Sequence, residues 1–233
     1  MKNINIIFIH GWLFDSRIWN SLDMEFSRYK STRLIDLPGY GINKSLTISH
    51  KRFCENIFDS ITSETVIVAW SYGALLVLKT YYEFLKSDIK IILINANLDI
   101  HNPKSNEFSI ENIDKLITNL KIDKNSAIKN FIYECVKHSI YSKNEFREII
   151  KKFKMEDFPS LDTLINNLDD MKLFTFNRNI SNKTDNILCI NTDRDQFINN
   201  ENCIYPTSII NGLGHIPFIH GNKDIYKIIN DFI

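Results

Sequence analysis

The sequence lacks the features that mark several large classes of protein. It has no excess of either charge, because 28 lysine and arginine residues are matched by 28 aspartate and glutamate residues, so no overall field points to nucleic acid. No apolar run is long enough to span a bilayer. The apolar stretch near the N-terminus is too short for a signal peptide and has no small-residue cleavage site. We therefore expect a cytoplasmic protein that binds neither nucleic acid nor a membrane, and we expect it to be a monomer.

Cysteine is scarce and widely spaced. The four cysteines form no C-x-x-C pair and stand at Cys54, Cys135, Cys189 and Cys203. This spacing suits neither a disulfide framework nor a zinc site, so we expect reduced thiols. The turn at residues 39–41, G-Y-G, lacks the third glycine of a dinucleotide-binding fingerprint. The sequence therefore indicates no metal and no organic cofactor.

Short apolar runs dominate the first half of the chain. They cover residues 4–9, 32–36, 66–68 and 89–94, and the first three are each followed by a turn and a helix-like pattern. Continuous apolar runs are typical of strands buried on both faces of a parallel sheet. The alternation predicts an α/β fold with a doubly wound, mostly parallel sheet and right-handed crossovers. At 233 residues the chain fits one domain, with or without an inserted subdomain.

This alternation stops after residue 95. Residues 108–174 carry helical patterns with breaks near 123–125, 141–142 and 157–159, which predict three or four short helices. The strand pattern resumes at 186–191 and 207–210, and an amphipathic helix is predicted at 224–232. We expect a core built from residues 1–107 and 173–233, with a helical lid inserted at 108–172.

The stretch around Ser71 has the pattern on which the functional prediction depends. A β-branched run ends at Ala69-Trp70-Ser71-Tyr72-Gly73, and a helix-like segment begins at once. A strand, a sharp turn with a serine and a helix form the context of a nucleophile elbow, with small residues two positions either side of the serine. Alanine stands where the usual pattern has its first glycine. The alternative interpretation is a serine that caps a helix N-terminus.

Two residues with complementary chemistry follow the last two predicted strands. Asp195 lies in T-D-R-D-Q-F, and His215 lies in G-L-G-H-I-P-F. Ligands gather at the carboxyl ends of parallel strands, and the chain order Ser, Asp, His is that of the α/β-hydrolases. His215 could take the proton of Ser71, and Asp195 could hold the imidazole in its working tautomer. Asp193 is the competing acid, and the position in the motif favours Asp195.

The negative charge that forms during ester cleavage needs hydrogen-bond donors already in place. The backbone N–H groups of Tyr72 and Trp12 are the natural pair, since Gly11 lets the loop after the first strand approach closely. We expect His10 to support this loop rather than titrate, and Asp36 to brace the D-L-P-G turn.

Four segments together resemble a known family. They are F-I-H-G-W-L-F-D-S-R-I-W, L-I-D-L-P-G-Y-G, V-A-W-S-Y-G and G-H-I-P-F-I-H. The chain resembles the α/β-hydrolase superfamily and, within it, the pimeloyl-[acyl-carrier protein] methyl ester esterases of biotin synthesis of the BioH type. The elbow and the T-D-R-D-Q-F segment also resemble the BioG type. In contrast to the BioH type, the chain enters directly at its first predicted strand, without an N-terminal hairpin.

The resemblance implies hydrolysis of the methyl ester of pimeloyl-acyl-carrier protein, with release of methanol. It implies Ser71 as nucleophile, Asp195 as acid and His215 as base, with Trp12 and Tyr72 at the oxyanion hole. The same resemblance implies that the lid contacts the acyl chain and the carrier protein. Trp12 and Phe131 would then bind the acyl chain, and Lys143 and Arg147 would meet the acidic carrier protein.

The charge pattern of the predicted lid agrees with an acidic partner. Between residues 115 and 154, the acidic residues are Asp123, Glu134, Glu145 and Glu148. The more numerous basic residues are Lys115, Lys121, Lys124, Lys129, Lys137, Lys143, Arg147, Lys151, Lys152 and Lys154. The alternative is a solvated lysine-rich face. Two other functions stay open: hydrolysis of another small acyl ester or thioester, and ligand binding without catalysis.

Overall fold

A computed structural model describes residues 2–84, 88–98, 100–101, 108–175, 185–200 and 204–233. Within these residues, six strands form one sheet in the order β2-β1-β3-β4-β5-β6. The strands are β1 (Lys2–Ile9), β2 (Tyr29–Ile35), β3 (Thr65–Trp70), β4 (Ile89–Ile94), β5 (Ile187–Thr192) and β6 (Thr207–Ile210). All neighbouring pairs are parallel, which confirms the predicted α/β fold with a parallel sheet.

The position of each strand in the sheet explains its composition. β3 and β5 are buried along their whole length, because both have a strand on either side, and their sequences are the apolar runs that predicted them. β2 is an edge strand with a mixed pattern of exposure. It begins at Tyr29, three residues before the predicted start at residue 32, because an edge strand can carry polar residues that break an apolar run.

The segment after β1 is less regular than the helix-like pattern of the sequence indicates. After β1, the predicted helix is broken into a 3-10 turn (Ser16–Trp19), helix α1 (Asn20–Asp23) and a second 3-10 turn (Met24–Phe26). Helix α2 (His50–Asp59) begins after Ser49, whose side chain caps it by accepting from the N–H of Arg52. Helix α3 (Tyr72–Phe84) begins directly after Ser71.

In the described part of the stretch between β4 and β5 there are four helices, where the sequence predicts three or four. They are α4 (Ile110–Ile122), α5 (Lys124–Val136), α6 (Ser142–Lys152) and α7 (Leu161–Lys172). Asp123 ends α4 and also caps α5, where its carboxylate accepts from the N–H of Ser126. α4 packs against both α5 and α7, and α5 packs against α6. Helix α8 (Asn222–Phe232) follows β6 and packs against α1.

The cysteines and the lengths of the helices can be compared with what the sequence predicts about disulfides and membrane spans. Cys54 and Cys135 are buried free thiols, Cys189 is buried, and Cys203 lies outside the described residues. Within the described part of the chain, no helix has both the length and the apolar character needed to cross a bilayer.

Candidate active site

Ser71 sits on a sharp turn between β3 and α3. Its backbone has φ of 53°, a left-handed conformation that is costly for a residue with a side chain. The turn needs small neighbours. A Cβ on Gly73 would lie 2.3 Å from the carbonyl oxygen of His10, so any side chain there would collide with the backbone after β1. Ala69, in the other small position, is fully buried within the strand.

The side chains of Ser71, His215 and Asp195 form a continuous hydrogen-bonded line. The Ser71 Oγ lies 2.9 Å from Nε2 of His215, and Nδ1 of His215 lies 2.6 Å from Oδ2 of Asp195. The carboxylate can only accept, so Nδ1 carries the proton and Nε2 is free to accept from the serine hydroxyl. The Asp195 side chain is fully buried and that of His215 nearly so. The structure therefore brings together the three residues that the sequence nominates.

The two competing aspartates have different partners. Asp195 accepts the N–H of Phe197 with Oδ1 at 2.8 Å and presents Oδ2 to His215. Asp193 accepts the N–H of Gly212 at 2.6 Å and so braces the loop that leads to His215. Asp195 is thus the aspartate in contact with the imidazole.

The loop after β1 approaches Ser71 closely. A Cβ on Gly11 would lie 3.0 Å from Cβ of Ser71 and 3.0 Å from the ring of Trp70. Trp12, the next residue, lines the same cavity as Ser71 and Tyr72. Tyr72 is the first residue of α3, where a backbone N–H has no acceptor within its own helix. Both nominated oxyanion donors therefore border the nucleophile.

The side chains of these two residues are anchored away from the serine. The indole N–H of Trp12 donates to the carbonyl of Leu164 in α7 at 3.0 Å. The hydroxyl of Tyr72 lies 2.9 Å from Nδ1 of His50, whose Nε2 lies 2.8 Å from the carbonyl oxygen of Pro38. Burial raises the pKa of Tyr72 well above its ordinary value, which keeps the phenol neutral. These contacts leave the backbone N–H groups of Trp12 and Tyr72 in fixed positions.

His10 and Asp36 support the loops, as the sequence predicts. The Nδ1 of His10 lies 2.8 Å from the carbonyl oxygen of Gly11, and Nε2 accepts the N–H of Leu37 at 2.9 Å. Burial lowers the pKa of His10 to about 4, so the ring is neutral at neutral pH. Asp36 accepts the N–H of Ser16 at 2.6 Å and that of Ile42 at 2.9 Å.

The cavity at Ser71 is small and mostly apolar, with a volume of about 20 Å³. Phe131 of α5 and Phe197 of the acid loop lie on its border, their rings stacked with centroids 5.7 Å apart. Phe197 also meets the ring of His215 edge-on at 5.0 Å. Beyond Phe131 lies a groove of about 260 Å³ between α4 and α5. Phe131 is therefore beside the nucleophile, although it comes from the helical insertion.

Lys143 and Arg147 lie elsewhere. Both are exposed on α6, and neither belongs to the residues that line the cavity at Ser71. They lie one helical turn apart, and both side chains are open to solvent. Any part they play in recognition must therefore concern the outer surface rather than the cavity at Ser71.

Two residues around His215 escaped the sequence analysis. Asn95 follows β4, and Thr192 ends β5. Both are fully buried, and both bond to the loop that carries His215. The sequence does contain a signal for Asn95, because it is a polar residue directly after an apolar strand. Among the described residues, no cluster of side chains could hold a metal ion.

Comparisons with known proteins agree with this geometry. Residues 6–121 match the family model described as "Alpha/beta hydrolase family". The chain is 26% identical over 180 residues to a pimeloyl-[acyl-carrier protein] methyl ester esterase of Wigglesworthia glossinidia brevipalpis. That alignment covers 73% of this chain and 66% of the relative, just under two thirds of the relative's length.

Solved structures share the fold at low sequence identity. A bromoperoxidase from Bacillus anthracis superposes with a TM-score of 0.77 at 13% identity, covering 99% of this chain and 92% of that one. An esterase from Exiguobacterium antarcticum gives a TM-score of 0.76 at 14% identity, with the same two coverages. At these identities the likeness establishes the α/β-hydrolase fold and nothing finer.

Proposed function

The chain belongs to the alpha/beta hydrolase family, and from that membership we propose that it is a serine carboxylesterase of acyl-carrier protein substrates. The proposed substrate is the methyl ester of pimeloyl-[acyl-carrier protein], the compound in the name of the similar curated protein. The observation that carries the proposal is the unbroken hydrogen-bonded line from Ser71 through His215 to Asp195.

The first half of the proposed reaction forms an acyl-enzyme. Oγ of Ser71 attacks the ester carbonyl while Nε2 of His215 takes its proton, and Asp195 stabilises the resulting imidazolium. The carbonyl electron pair moves onto oxygen and makes a tetrahedral oxyanion. When the intermediate collapses, the bond to the methoxy group breaks, and His215 gives its proton to that group to release methanol.

The second half uses the same groups with water. His215 takes a proton from a water molecule, whose oxygen attacks the acyl-enzyme carbonyl. Collapse of this second intermediate breaks the bond to Oγ of Ser71, which regains its proton from His215. The products are the free carboxylic acid on the acyl chain and the original enzyme, and the proposed chemistry requires no cofactor.

The backbone N–H groups of Trp12 and Tyr72 are the proposed oxyanion donors. Support comes from the close approach of Gly11 to Ser71 and from the position of Tyr72 at the start of α3. Two such donors act on charge that exists only in the intermediates, and losing one of them typically costs about 3 kcal/mol of barrier. The anchored side chains of both residues keep these donors in place before the substrate arrives.

We assign the helical insertion, residues 108–172, as the lid over this site. Phe131 and Trp12 would bind the acyl chain, since their rings meet edge-on at 4.8 Å beside the cavity of Ser71. The groove between α4 and α5 lies just beyond Phe131 and has room for the rest of the chain. Lys143 and Arg147, exposed on α6, would face the acidic carrier protein.

A second candidate is hydrolysis of another small acyl ester or thioester. The small volume of the cavity beside Ser71, about 20 Å³, favours it, because a short acyl group needs less rearrangement of the surrounding aromatic rings. The catalytic groups would be the same. A ligand-binding protein without catalysis is a weaker candidate, since binding alone has no use for a serine held against a histidine.

Conversion of the carrier-bound ester by the purified protein tests the proposal. We expect release of methanol and formation of pimeloyl-acyl-carrier protein. Mass spectrometry of the carrier protein measures this conversion. Ser71→Ala should lower the rate at least about a thousandfold, because the nucleophile is lost, and should leave the melting temperature nearly unchanged. Turnover of short esters without turnover of the carrier-bound ester would favour the second candidate. Near-normal activity of Ser71→Ala would remove Ser71 from the mechanism.

A further inference from the structure

Asn95 is a buried polar residue at the carboxyl edge of the sheet. It directly follows β4, is fully buried and has φ of 45°. Left-handed backbone is uncommon outside glycine, and asparagine tolerates it better than most residues. Asn95 thus combines a strained backbone with a buried amide, and it lies among the loops that carry Ser71, Asp195 and His215. This combination indicates a specific role.

Its amide group joins three segments of the chain. Oδ1 accepts the backbone N–H of Thr192 at 2.9 Å. Nδ2 donates to the carbonyl oxygen of His215 at 3.1 Å and lies 3.3 Å from that of Gly214. The hydroxyl of Thr192 reinforces the contact by donating to the carbonyl of Gly214 at 2.9 Å. A side-chain amide can accept on one side and donate on the other, so the residue type fits both neighbours.

The loop that receives these bonds is also held through its N–H groups, because Asp193 accepts that of Gly212 and the carbonyl of Cys135 accepts that of His215. It contains Gly212, with φ of 83°, and Gly214, and it must hold an imidazole within 2.9 Å of the serine hydroxyl. Trp70 adds one bond from its indole N–H to the carbonyl of His215 at 2.9 Å. The carbonyl of His215 is therefore held from the core by two side chains, and one of them is Asn95.

We propose that Asn95 is a positioning residue that fixes the backbone of His215 for proton transfer with Ser71. The proposal rests on the proposed function of Ser71 and His215. Asn95 borders the cavity at Ser71, but its amide group bonds to Thr192 and to the carbonyl oxygen of His215, so we assign its effect to the position of the histidine. A displacement of the base by about 1 Å can cost on the order of a hundredfold in rate, and this is the displacement that the amide prevents.

The test uses the full chain and the variant Asn95→Gly, which keeps a residue tolerant of positive φ and removes the amide. Two rates are measured: hydrolysis of p-nitrophenyl acetate, and phosphonylation of Ser71 by a fluorophosphonate probe. We expect kcat and the phosphonylation rate to fall tenfold to a hundredfold while KM changes less than twofold. Unchanged kcat alongside a lowered melting temperature would overturn the proposal and leave Asn95 a purely structural residue.

Two further variants keep the result interpretable. Thr65→Val removes another buried hydroxyl, which donates to the carbonyl oxygen of Ser63 at 2.8 Å at the start of β3, and should lower the melting temperature with kcat within about twofold of wild type. Thr192→Val preserves shape and removes the hydroxyl that bonds to Gly214, and it carries the test if Asn95→Gly does not fold. We expect Thr192→Val to lower kcat threefold to tenfold, with KM unchanged, and normal kcat in this variant would contradict the proposal.

The wild-type protein separates the two hypotheses. If wild-type Ser71 does not react with the probe, the proposed hydrolase chemistry itself fails. If wild type and Asn95→Gly react at the same rate, only the positioning role of Asn95 fails.

Discussion

Among the described residues, three that are not glycine have left-handed backbone: Leu13, Ser71 and Asn95. They follow β1, β3 and β4, so all three stand at the carboxyl edge of the sheet. Such conformations persist only where the surrounding structure imposes them, and they cluster at functional sites. Here one carries the nucleophile, one holds the histidine loop, and one follows Trp12 in the loop beside the serine. Backbone strain in this molecule is thus concentrated where the chemistry is proposed.

The glycines beside Ser71 lead to a paired prediction. In Gly73→Ala the new methyl group would lie 2.3 Å from the backbone carbonyl of His10, which cannot swing away, so we expect a loss of stability of roughly 2–4 kcal/mol. In Gly11→Ala the nearest atoms are 3.0 Å away, in Ser71 and the Trp70 ring. We expect a smaller loss of stability there, but a larger fall in kcat, because the loop moves away from the serine.

Urea denaturation and ester hydrolysis of both variants measure the two effects. Ala74→Gly, one residue further along α3, serves as the control for a change of similar size. Equal stability of Gly73→Ala and wild type would show that the elbow can relax around a side chain.

At the residue scale, the sequence could nominate side chains by their place after a strand. This placement identified Ser71, Asp195 and His215, and the structure brings them within hydrogen-bond distance of one another. It could not identify what Asn95 does. The partners of that amide lie about a hundred residues further along the chain, and no local pattern records which strand ends become neighbours.

At the scale of elements, α5 is tied to both catalytic loops. The carbonyl of Cys135 accepts the N–H of His215 at 2.8 Å, and a Cβ on Gly214 would lie 2.6 Å from that same carbonyl. The side-chain amide of Gln196 donates to the carbonyl of Glu134 at 3.1 Å. The C-terminal end of α5 therefore helps to hold the histidine and acid loops, and any opening of the lid is easier at the other inserted helices.

The elements that sequence predicted best were the buried strands. The apolar run at 89–94 matches the buried strand β4, because continuous apolar sequence has few other places to go in a parallel sheet. The predicted strand at 207–210 matches β6, a partly exposed strand at the edge of the sheet. The short helical turns after β1 were predicted as one helix. Ile18, Trp19, Leu22 and Phe26 do face the core at helical spacing, but burial of an apolar face does not require the backbone hydrogen bonds of a continuous helix.

Glu145 in α6 gives a pH-dependent prediction. It is fully buried, neither carboxylate oxygen has a hydrogen bond of good geometry among the described residues, and the contact with Ser139 opposes the effect of burial on its pKa only in part. Burial raises its pKa from 4.5 to about 7. Between these values the folded protein keeps a proton that the unfolded chain releases, so this residue makes stability fall as the pH rises through that window. Between pH 4.5 and a pH above 7, we expect the free energy of unfolding of wild type to fall by up to about 3 kcal/mol relative to that of Glu145→Gln.

Melting curves of wild type and Glu145→Gln at pH 5 and pH 8 measure this loss. The glutamine variant should gain on wild type as the pH rises. Glu156→Gln, which removes an exposed carboxylate, should show no such gain. A difference between Glu145→Gln and wild type that does not depend on pH would mean that water or another group solvates the buried carboxylate.

On the scale of the whole molecule, the site is nearly closed. The cavity beside Ser71 has a volume of about 20 Å³, enough for one water molecule. Among the described residues, the rings of Phe131 and Phe197 separate this cavity from the groove between α4 and α5, so an acyl chain lying in that groove could reach the serine if these rings part. The sequence predicts helices between β4 and β5, and the structure has them there, but the packing of these rings depends on contacts between residues far apart in the chain. Opening is therefore a step that the proposed reaction requires.

The charge of the molecule is also arranged unevenly, although it sums to zero. On the inserted helices, Lys115 and Lys137 are paired with acidic neighbours, whereas Lys143 and Arg147 stand exposed on α6 at i, i+4. An acidic carrier protein would be attracted to this face of α6, an effect that raises association rates and is screened by salt. The test must therefore separate recruitment of the carrier from chemistry at Ser71.

We expect the double variant Lys143→Glu, Arg147→Glu to lower kcat/KM for the carrier-bound ester at least about tenfold at low salt. The same variant should keep kcat/KM for a short free ester within about twofold, since neither residue lines the cavity of Ser71. The matched control is Lys223→Glu, Lys227→Glu, which makes the same charge change at the same spacing on exposed positions of α8. Only the α6 variant should lose its salt dependence, because only there would a partner of opposite charge be held. Equal losses on both esters, or an equal effect of the α8 control, would place the carrier elsewhere on the surface.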